Sequence, residues 1–245
     1  MGPASRTMFG DLCLEDLGMV VEYVHDDPPA ARIETEDVPG KDGSVITDVS
    51  IGPRNPTIDC RAMLPKWSDF DELVDLLGTR VGTRSTLELR THAGQTYDAY
   101  LESVTTGERE GHTGIGEISL SFVVPDPTRV GKSRSVTVPS GGSVTFEVGG
   151  SRPASLTIAA PGAKRTVATG AWGLRFDGAE RVHVPIPTNL ATAVSIDCDT
   201  RVVKVAGATS MLTLESDWPA LTPGTHEVTM DIGLGTATLT WVERW

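Results

Sequence analysis

The sequence has few cysteines and no long apolar run. Its three cysteines, Cys13, Cys60 and Cys198, are far apart, and none has the Cys-x-x-Cys spacing that zinc and redox sites use. A disulfide framework is therefore not expected, and we predict reduced, structural cysteines. No stretch approaches the roughly eighteen apolar residues of a membrane span. Asp11 and Glu15 interrupt the apolar core that an export signal needs, so we expect synthesis in a cytosol and no association with a membrane.

Clustered positive charge is also missing. The 245 residues include 33 acidic and 21 basic ones, which gives a net charge of −12, and no run of Lys and Arg is present. Tight binding of nucleic acid depends on such clusters and is therefore not expected. The acidity is uneven, because residues 1–127 carry a net charge of −13 and residues 128–245 a net charge of +1.

A proline-rich stop lies where the charge changes. The alternating segment 118–124 runs into Pro125-Asp126-Pro127, and the two prolines cannot donate hydrogen bonds to a sheet. Each half has about the length of a typical domain. We therefore predict two domains, residues 1–127 and residues 128–245.

The first half combines strand patterns with a single helix. Strands are predicted at 17–24, 33–38, 57–60, 86–90, 96–104 and 118–124, with a turn at 39–43 and an exposed, mobile connection over 107–116. The helix is predicted to begin after Trp67 with Ser68 as its N-cap, and to end near Gly78. Its apolar stripe has helical spacing and consists of Phe70, Leu73, Val74 and Leu77. This stripe predicts a helix that packs on a sheet or fills a small barrel.

The second half shows strand patterns alone. Gly or Pro recurs at intervals typical of a β-sandwich. A hairpin is predicted from 136–138 and 144–148. Further strands are predicted at 154–159, 182–186, 193–198, 201–205, 211–215, 225–232 and 236–242. The fold class is therefore mainly β, an N-terminal β-barrel or sheet domain with one helix followed by a β-sandwich of roughly eight strands.

Motifs for catalysis or metal binding are not found. The sequence has no nucleophile elbow, zinc-protease helix, phosphate loop or kinase signature. We expect all five histidines, His25, His92, His112, His183 and His226, to lie at the surface. We therefore predict no enzyme, no catalytic residue, no cofactor and no metal ion.

Two other interpretations remain open. Asp197 and Asp199 lie two residues apart in a predicted strand, so they share a face and suggest a calcium site or a hydrolase acid pair. A solvated strand end is the simpler interpretation. Five aromatic residues could also line the sugar-binding face of a lectin-like sandwich, with Trp172 or Trp218 as the contact. They are Trp172, Phe176, Trp218, Trp241 and Trp245, and we expect at least two of them to pack in the core.

Four blocks, taken in order, resemble a known family. The residues that carry the resemblance are Pro39, Gly40, Asp42 and Gly43 in the first domain, Asp126 and Pro127 at its end, Asp197 in the second domain, and Trp218, Pro219, Pro223 and Gly224 near the end of the chain. Together with the single helix after the first block, this arrangement resembles the distal tail proteins of bacteriophages with long, non-contractile tails.

The resemblance implies a structural virion protein of the tail tip, assembled in the host cytoplasm. The N-terminal domain would form a homohexameric ring that extends the tail tube, and the C-terminal domain would be a galectin-like or jelly-roll sandwich. Implied partners are the tail tube protein, the tape-measure protein, the tail-associated hub or lysin and the receptor-binding proteins. DNA would pass through the ring without specific binding. The alternative is a carbohydrate-binding sandwich that acts in host attachment.

The acidity of residues 1–127 is consistent with that expectation. An acidic lumen repels phosphate, so a duplex slides through it without binding. Repeated copies with this charge repel each other, so we predict that the acidic groups of 34–48 and 107–117 avoid the contacts between subunits. The simpler interpretation is that the acidity serves only solubility.

Overall fold

In the computed structural model of the protein, which describes residues 6–40, 42–166 and 169–245, antiparallel strands make up most of both halves. The chain divides into Met1–Arg129, here called unit 1, and Val130–Trp245, called unit 2. The predicted class, mainly β with one α-helix, is confirmed within the described residues. None of the helices in those ranges has the length and apolar character needed to cross a membrane.

Unit 1 is a sheet covered by one helix, with a separate hairpin. Its elements are β1 (Met8–Phe9), β2 (Leu12–Cys13), β3 (Met19–His25), β4 (Ala31–Asp37), β5 (Ser44–Ile51), β6 (Thr57–Leu64), α1 (Trp67–Gly78), β7 (Arg84–Glu88), a 3₁₀ turn (Arg90–His92), β8 (Thr96–Arg109) and β9 (Gly114–Val123). The strands of the sheet follow the order β3-β6-β9-β8-β7-β1-β2. Strands β4 and β5 pair only with each other.

Helix α1 fixes the core of unit 1. Phe70, Leu73 and Leu77 are buried against β6, β8 and β9, as the predicted stripe requires, and Val74 packs at its margin. The predicted cap at Ser68 is wrong. Lys66 is the N-cap residue, and the Ser68 hydroxyl donates instead to the neighbouring Asp69 carboxylate. The helix does end at Gly78, and the Thr79 hydroxyl donates to the carbonyl of Leu76.

The predicted mobile connection over 107–116 is mostly strand. Strand β8 continues to Arg109 and β9 begins at Gly114, which leaves a link of only a few residues. The glycines that suggested a loop serve close packing instead. A Cβ atom on Gly116 would lie 2.7 Å from the Phe70 ring, and one on Gly114 would lie 2.4 Å from the Leu64 carbonyl oxygen.

Unit 2 is a sandwich of two antiparallel sheets. Its strands are β10 (Val130–Val138), β11 (Ser143–Val148), β12 (Arg152–Ala163), β13 (Ala171–Phe176), β14 (Glu180–Pro185), β15 (Thr192–Asp197), β16 (Val202–Val205), β17 (Ala208–Ser210), β18 (Gly224–Ile232) and β19 (Ala237–Arg244). One sheet has the order β17-β16-β15-β12-β19-β10 and the other β11-β18-β13-β14. Their inner faces form one core, in which Ile158 and Leu239 of the first sheet join Trp172 and Phe176 of the second.

Two strand predictions in this unit are wrong. Strands β10 and β11 do not pair as a hairpin, because β10 pairs with β19 and β11 with β18, so the turn between them connects the two sheets. The segment 211–215 is not a strand. It is nevertheless attached to β14, because the amide of Thr213 donates a hydrogen bond to the carbonyl of His183.

Gly233 provides a test of packing at the sandwich core. It has φ = +89°, and a Cβ atom added to it would lie 2.7 Å from Cδ1 of the buried Trp172. We expect Gly233→Ala to lower the free energy of unfolding of unit 2 by about 2–5 kcal/mol, since backbone strain and overpacking add. Gly178→Ala is the matched control, because Gly178 has φ = +73° and open space around it. It should cost only the strain, about 1–2 kcal/mol. Urea denaturation measures both changes, and equal losses of unfolding free energy in the two variants would contradict the role of packing against Trp172.

Candidate functional site

The hairpin formed by β4 and β5 extends into solvent. The amide of Gly52 donates to the carbonyl of Ala30 at 2.9 Å and closes its base. Every residue of both strands is exposed, and each strand pairs with the other alone. The sequence predicted β4 but missed β5, although Val45, Ile46 and Val49 are typical strand residues.

The hairpin has two chemically different faces. Residues directly opposite each other in an antiparallel pair point to the same side, and successive residues alternate. The pairs Ile33 with Val49 and Thr35 with Ile46 therefore share one face, together with Ile51. We call this set, Ile33, Ile46, Val49 and Ile51, the apolar face. The opposite face carries Glu34, Glu36 and Asp48, and we call these three residues the acidic face; Arg32, Ser50 and Val45 lie on the same side.

A buried ion pair holds the root of the hairpin. Asp26 precedes β4 and Arg54 follows β5, and an Arg54 guanidinium nitrogen lies 2.9 Å from the Asp26 carboxylate. Their side chains are only 6% and 14% exposed. The Tyr97 hydroxyl donates to the second carboxylate oxygen at 2.8 Å. Burial and this hydrogen bond raise the pKa of Tyr97, so the phenol stays protonated and continues to donate.

The residues of the first two family blocks lie in turns. Gly40 and Gly43 have φ near +81° and +90° in the turn at the tip of the hairpin, next to Pro39 and Asp42, and Lys41 lies outside the described residues. The Asp126 carboxylate accepts a hydrogen bond from the amide of Thr128 at 3.0 Å, which shapes the chain at Pro127. None of these residues contacts a cluster of reactive groups.

Asp197 is a turn residue and does not form a carboxylate pair with Asp199. Strand β15 ends at Asp197, whose carboxylate accepts hydrogen bonds from the amides of Thr200 and Asp199. The bond from Thr200 is the main cause that lowers the pKa of Asp197. The premise of the calcium-site and hydrolase interpretations, two carboxylates on one face of a strand, does not hold, because the strand ends at Asp197 and Asp199 lies in the turn that follows. No cluster of three or more metal-ligating side chains occurs in the ranges that the structure describes.

The aromatic residues mostly fill the sandwich core. Trp172 is fully buried, and Phe176 and Trp241 are nearly so, which confirms the expected core packing. A sugar-binding role for Trp172 is therefore wrong. Trp218 packs partly buried against the same core, beside the buried Pro219. Pro223 and Gly224 are exposed where β18 begins.

The expectation that all histidines lie at the surface is wrong for two of them. His183 and His226 are buried, and each contacts a carboxylate that sequence reasoning did not single out. His183 Nε2 lies 3.0 Å from Asp231, and His226 Nδ1 lies 2.7 Å from Asp177. These partners are 48 and 49 residues apart in sequence, so no local pattern could have identified them.

The His226 site is the clearest titrating group of unit 2. Burial disfavours the charged ring, but hydrogen bonds to the Thr222 carbonyl and to Asp177 outweigh burial and raise the pKa of His226. Burial raises the pKa of Cys60 and of Cys198 to about 12, so these two thiols are poor nucleophiles, and Cys13 is buried as well.

The root ion pair should contribute strongly to the stability of unit 1. We expect Arg54→Met to lower its free energy of unfolding by about 3–5 kcal/mol, because Asp26 would stay buried without its cation. Hydrogen exchange of the β6 and β9 amides measures this, with the β12 and β19 amides of unit 2 as an internal reference. Arg80→Met removes an exposed pair with Asp11 and should cost less than about 1 kcal/mol. Similar losses in the two variants would contradict the role of the root.

The His226 contact predicts a pH dependence for unit 2. A pKa raised in the folded state means that the stabilising contribution is present at acidic pH and is lost as the pH rises through the folded-state pKa. We therefore expect the Tm of unit 2 to fall between mildly acidic and mildly alkaline pH. Asp177→Asn keeps a hydrogen-bonding group but removes the charge, so it should flatten this slope. An unchanged slope in that variant would show that another group titrates.

The chain is similar to a known family in sequence and to known proteins in structure. The family described as siphovirus-type tail component, C-terminal domain (SPP1_Dit), matches residues 163–245. The sequence matches no curated protein. Among solved structures, the Dit (gp 19.1) protein of phage SPP1, described as a paradigm of hub adsorption apparatus in Gram-positive infecting phages, is similar with a TM-score of 0.75 and 18% identity. That match covers 98% of both chains.

A second solved structure, the baseplate of phage P2 in its activated conformation with Ca, matches with a TM-score of 0.46 and 10% identity, over 95% of this chain and 92% of that one. The SPP1 match establishes the fold over nearly the whole chain. The resemblance to the distal tail proteins is therefore confirmed: residues 163–245 match the C-terminal domain of the siphovirus-type tail component family, and the chain as a whole has the fold of the SPP1 Dit protein.

Proposed function

We propose that this chain is a non-enzymatic hub protein of a bacteriophage tail tip. The observation that carries the proposal is the shared fold with SPP1 Dit over 98% of both chains, combined with the family match in unit 2. In this role unit 1 of six copies forms a ring that continues the tail tube, and unit 2 holds receptor-binding or other baseplate proteins. The tape-measure protein and the tail-associated hub or lysin would be the axial neighbours.

The charges of unit 1 favour a ring through which DNA passes freely. Six of its arginines already pair with carboxylates of the same chain: Arg6, Arg54, Arg61, Arg80, Arg84 and Arg109. Few cations are therefore left to contact phosphate, while residues 1–127 keep a net charge of −13. A surface of this kind repels a duplex and lets it slide.

The oligomeric state in solution tests the ring. We expect light scattering and negative-stain images of the purified chain to show hexamers with a central opening. Their fraction should rise with ionic strength, because salt screens repulsion between acidic copies beyond a Debye length of about 8 Å at physiological salt. A stable closed dimer would contradict the ring.

Antibody labelling of intact virions tests the location independently of ring formation. A tail-tip hub should be labelled at the end of the tail distal to the head. Labelling of the head, or no labelling of virions at all, would overturn the assignment. An antibody against a tail tube protein is the control for access to the tail.

A further inference from the structure

The hairpin exposes more apolar surface than a two-stranded element can retain alone. Ile33, Val45, Ile46, Val49 and Ile51 are between 53% and 61% exposed, although they are strand residues. An isolated two-stranded hairpin is marginally stable in water, because it has no core of its own. Glu34 and Asp48 lie directly opposite each other, and this like-charge pair weakens the hairpin further. Within the described residues nothing covers the apolar face, so a partner that buries it would stabilise the hairpin.

A second exposed apolar surface lies on the sheet of the same unit. Met63 in β6 is 58% exposed and Val20 in β3 is 47% exposed, although Ala62, Met19 and Val21 beside them in these strands are buried. Met63 lies opposite Ile115 of β9 in the register. We call Val20, Met63 and the half-buried Ile115 the sheet patch, and Arg61 lies on the same face opposite Val20. The patch lies on the outer face of the sheet, opposite to the face that packs against Phe70.

We infer that the apolar face of the hairpin of one copy docks on the sheet patch of a second copy. This inference rests on the proposed ring and names the surfaces that would form it. Because the two surfaces are different parts of one chain, their contact is head-to-tail. Such contacts form a closed ring when the rotation that relates neighbouring subunits divides a full turn evenly.

Charge determines which face of the hairpin meets the neighbour. The acidic face, Glu34, Glu36 and Asp48, would need cations, but most arginines of unit 1 are occupied in pairs within their own chain. A second copy therefore offers little countercharge. Docking through the apolar face leaves Glu34, Glu36 and Asp48 in solvent, where water and salt screen them. A basic partner protein would instead bind the acidic face, which the experiment below distinguishes.

Two double variants separate the two faces. Ile33→Glu with Val49→Glu places charge on one cross-strand pair of the apolar face. Glu34→Gln with Asp48→Asn changes the adjacent pair, on the acidic face, and is the matched control. We expect the first variant to weaken self-association by roughly a hundredfold or more, since it buries charge at a contact, and the second to preserve or strengthen it. Hydrogen exchange of the β7 and β8 amides should be unchanged in both variants, because these two strands lie outside both the hairpin and the sheet patch.

Cross-linking identifies the acceptor. One population carries Val49→Cys and a second, differently tagged, carries Met63→Cys. A short bis-maleimide should join the two tagged chains, because the native cysteines are buried. Glu34→Cys in place of Val49→Cys should give little product, and adding Ile33→Glu to the Val49→Cys chain should abolish it.

The inference would be overturned if the apolar-face variant assembled as the wild type does, if the acidic-face variant lost assembly, or if the Val49→Cys and Met63→Cys chains failed to cross-link at high concentration. Each of these results leaves the tail-tip assignment intact, because virion labelling tests that separately. If the antibody labelled the head and the cross-link formed efficiently, the contact between copies would be supported and the assignment as a tail-tip hub would be rejected.

Discussion

The ion pair between Asp26 and Arg54 is the interaction on which the shape of unit 1 depends. The chain leaves the sheet after Asp26, forms an exposed hairpin and returns at Arg54. There the amide and the carbonyl of Arg54 form backbone hydrogen bonds with Val124. The same two segments are also joined by the backbone bond between Gly52 and Ala30 and by the pairing of His25 with Thr57. Because the pair is buried and hydrogen-bonded to Tyr97, it fixes the direction in which the hairpin leaves the sheet.

The two units use their charged groups in different ways. Unit 1 places most of its arginines in pairs at the surface and keeps a large excess of carboxylates. Unit 2 is nearly neutral and has two contacts between a buried histidine and a carboxylate. Ion pairs at the surface contribute little to stability, so the paired arginines of unit 1 mainly reduce the negative electrostatic potential around it. The two contacts of unit 2 instead join elements that are distant in sequence: His183 and Asp231 join β14 to β18, and His226 joins β18 to the turn at Asp177.

The sequence predicted the fold class and the apolar side of α1, because helical spacing is a local property that Phe70, Leu73 and Leu77 display directly. Long-range choices were not predictable. Ser140–Ser143 is typical of a hairpin turn, yet the strands on either side enter opposite sheets, since only the packed sandwich selects their partners. The glycines at 114 and 116 suggested a loop because their close packing partners, Leu64 and Phe70, are distant in sequence.

The candidate site was predictable only in part. The turn at the hairpin tip and strand β4 follow from local residue types, but β5 was missed. The exposure of both strands could not be inferred, because Ile33, Val49 and Ile51 have the composition of a buried sheet. The ion pair at the root could not be predicted either, because the whole hairpin separates Asp26 from Arg54 in the sequence.

The bulge in the hairpin has a further consequence for the free protein. The pairing shifts between Glu34 and Thr35, so Thr47 has no partner opposite it and the edge of β5 is irregular. Regular edges with exposed aliphatic side chains are templates for fibrillar stacking of strands from many chains. The irregular edge, with carboxylates beside it, hinders such stacking. Free chains should therefore resist fibrillar association even while the apolar side chains of the hairpin are exposed to solvent.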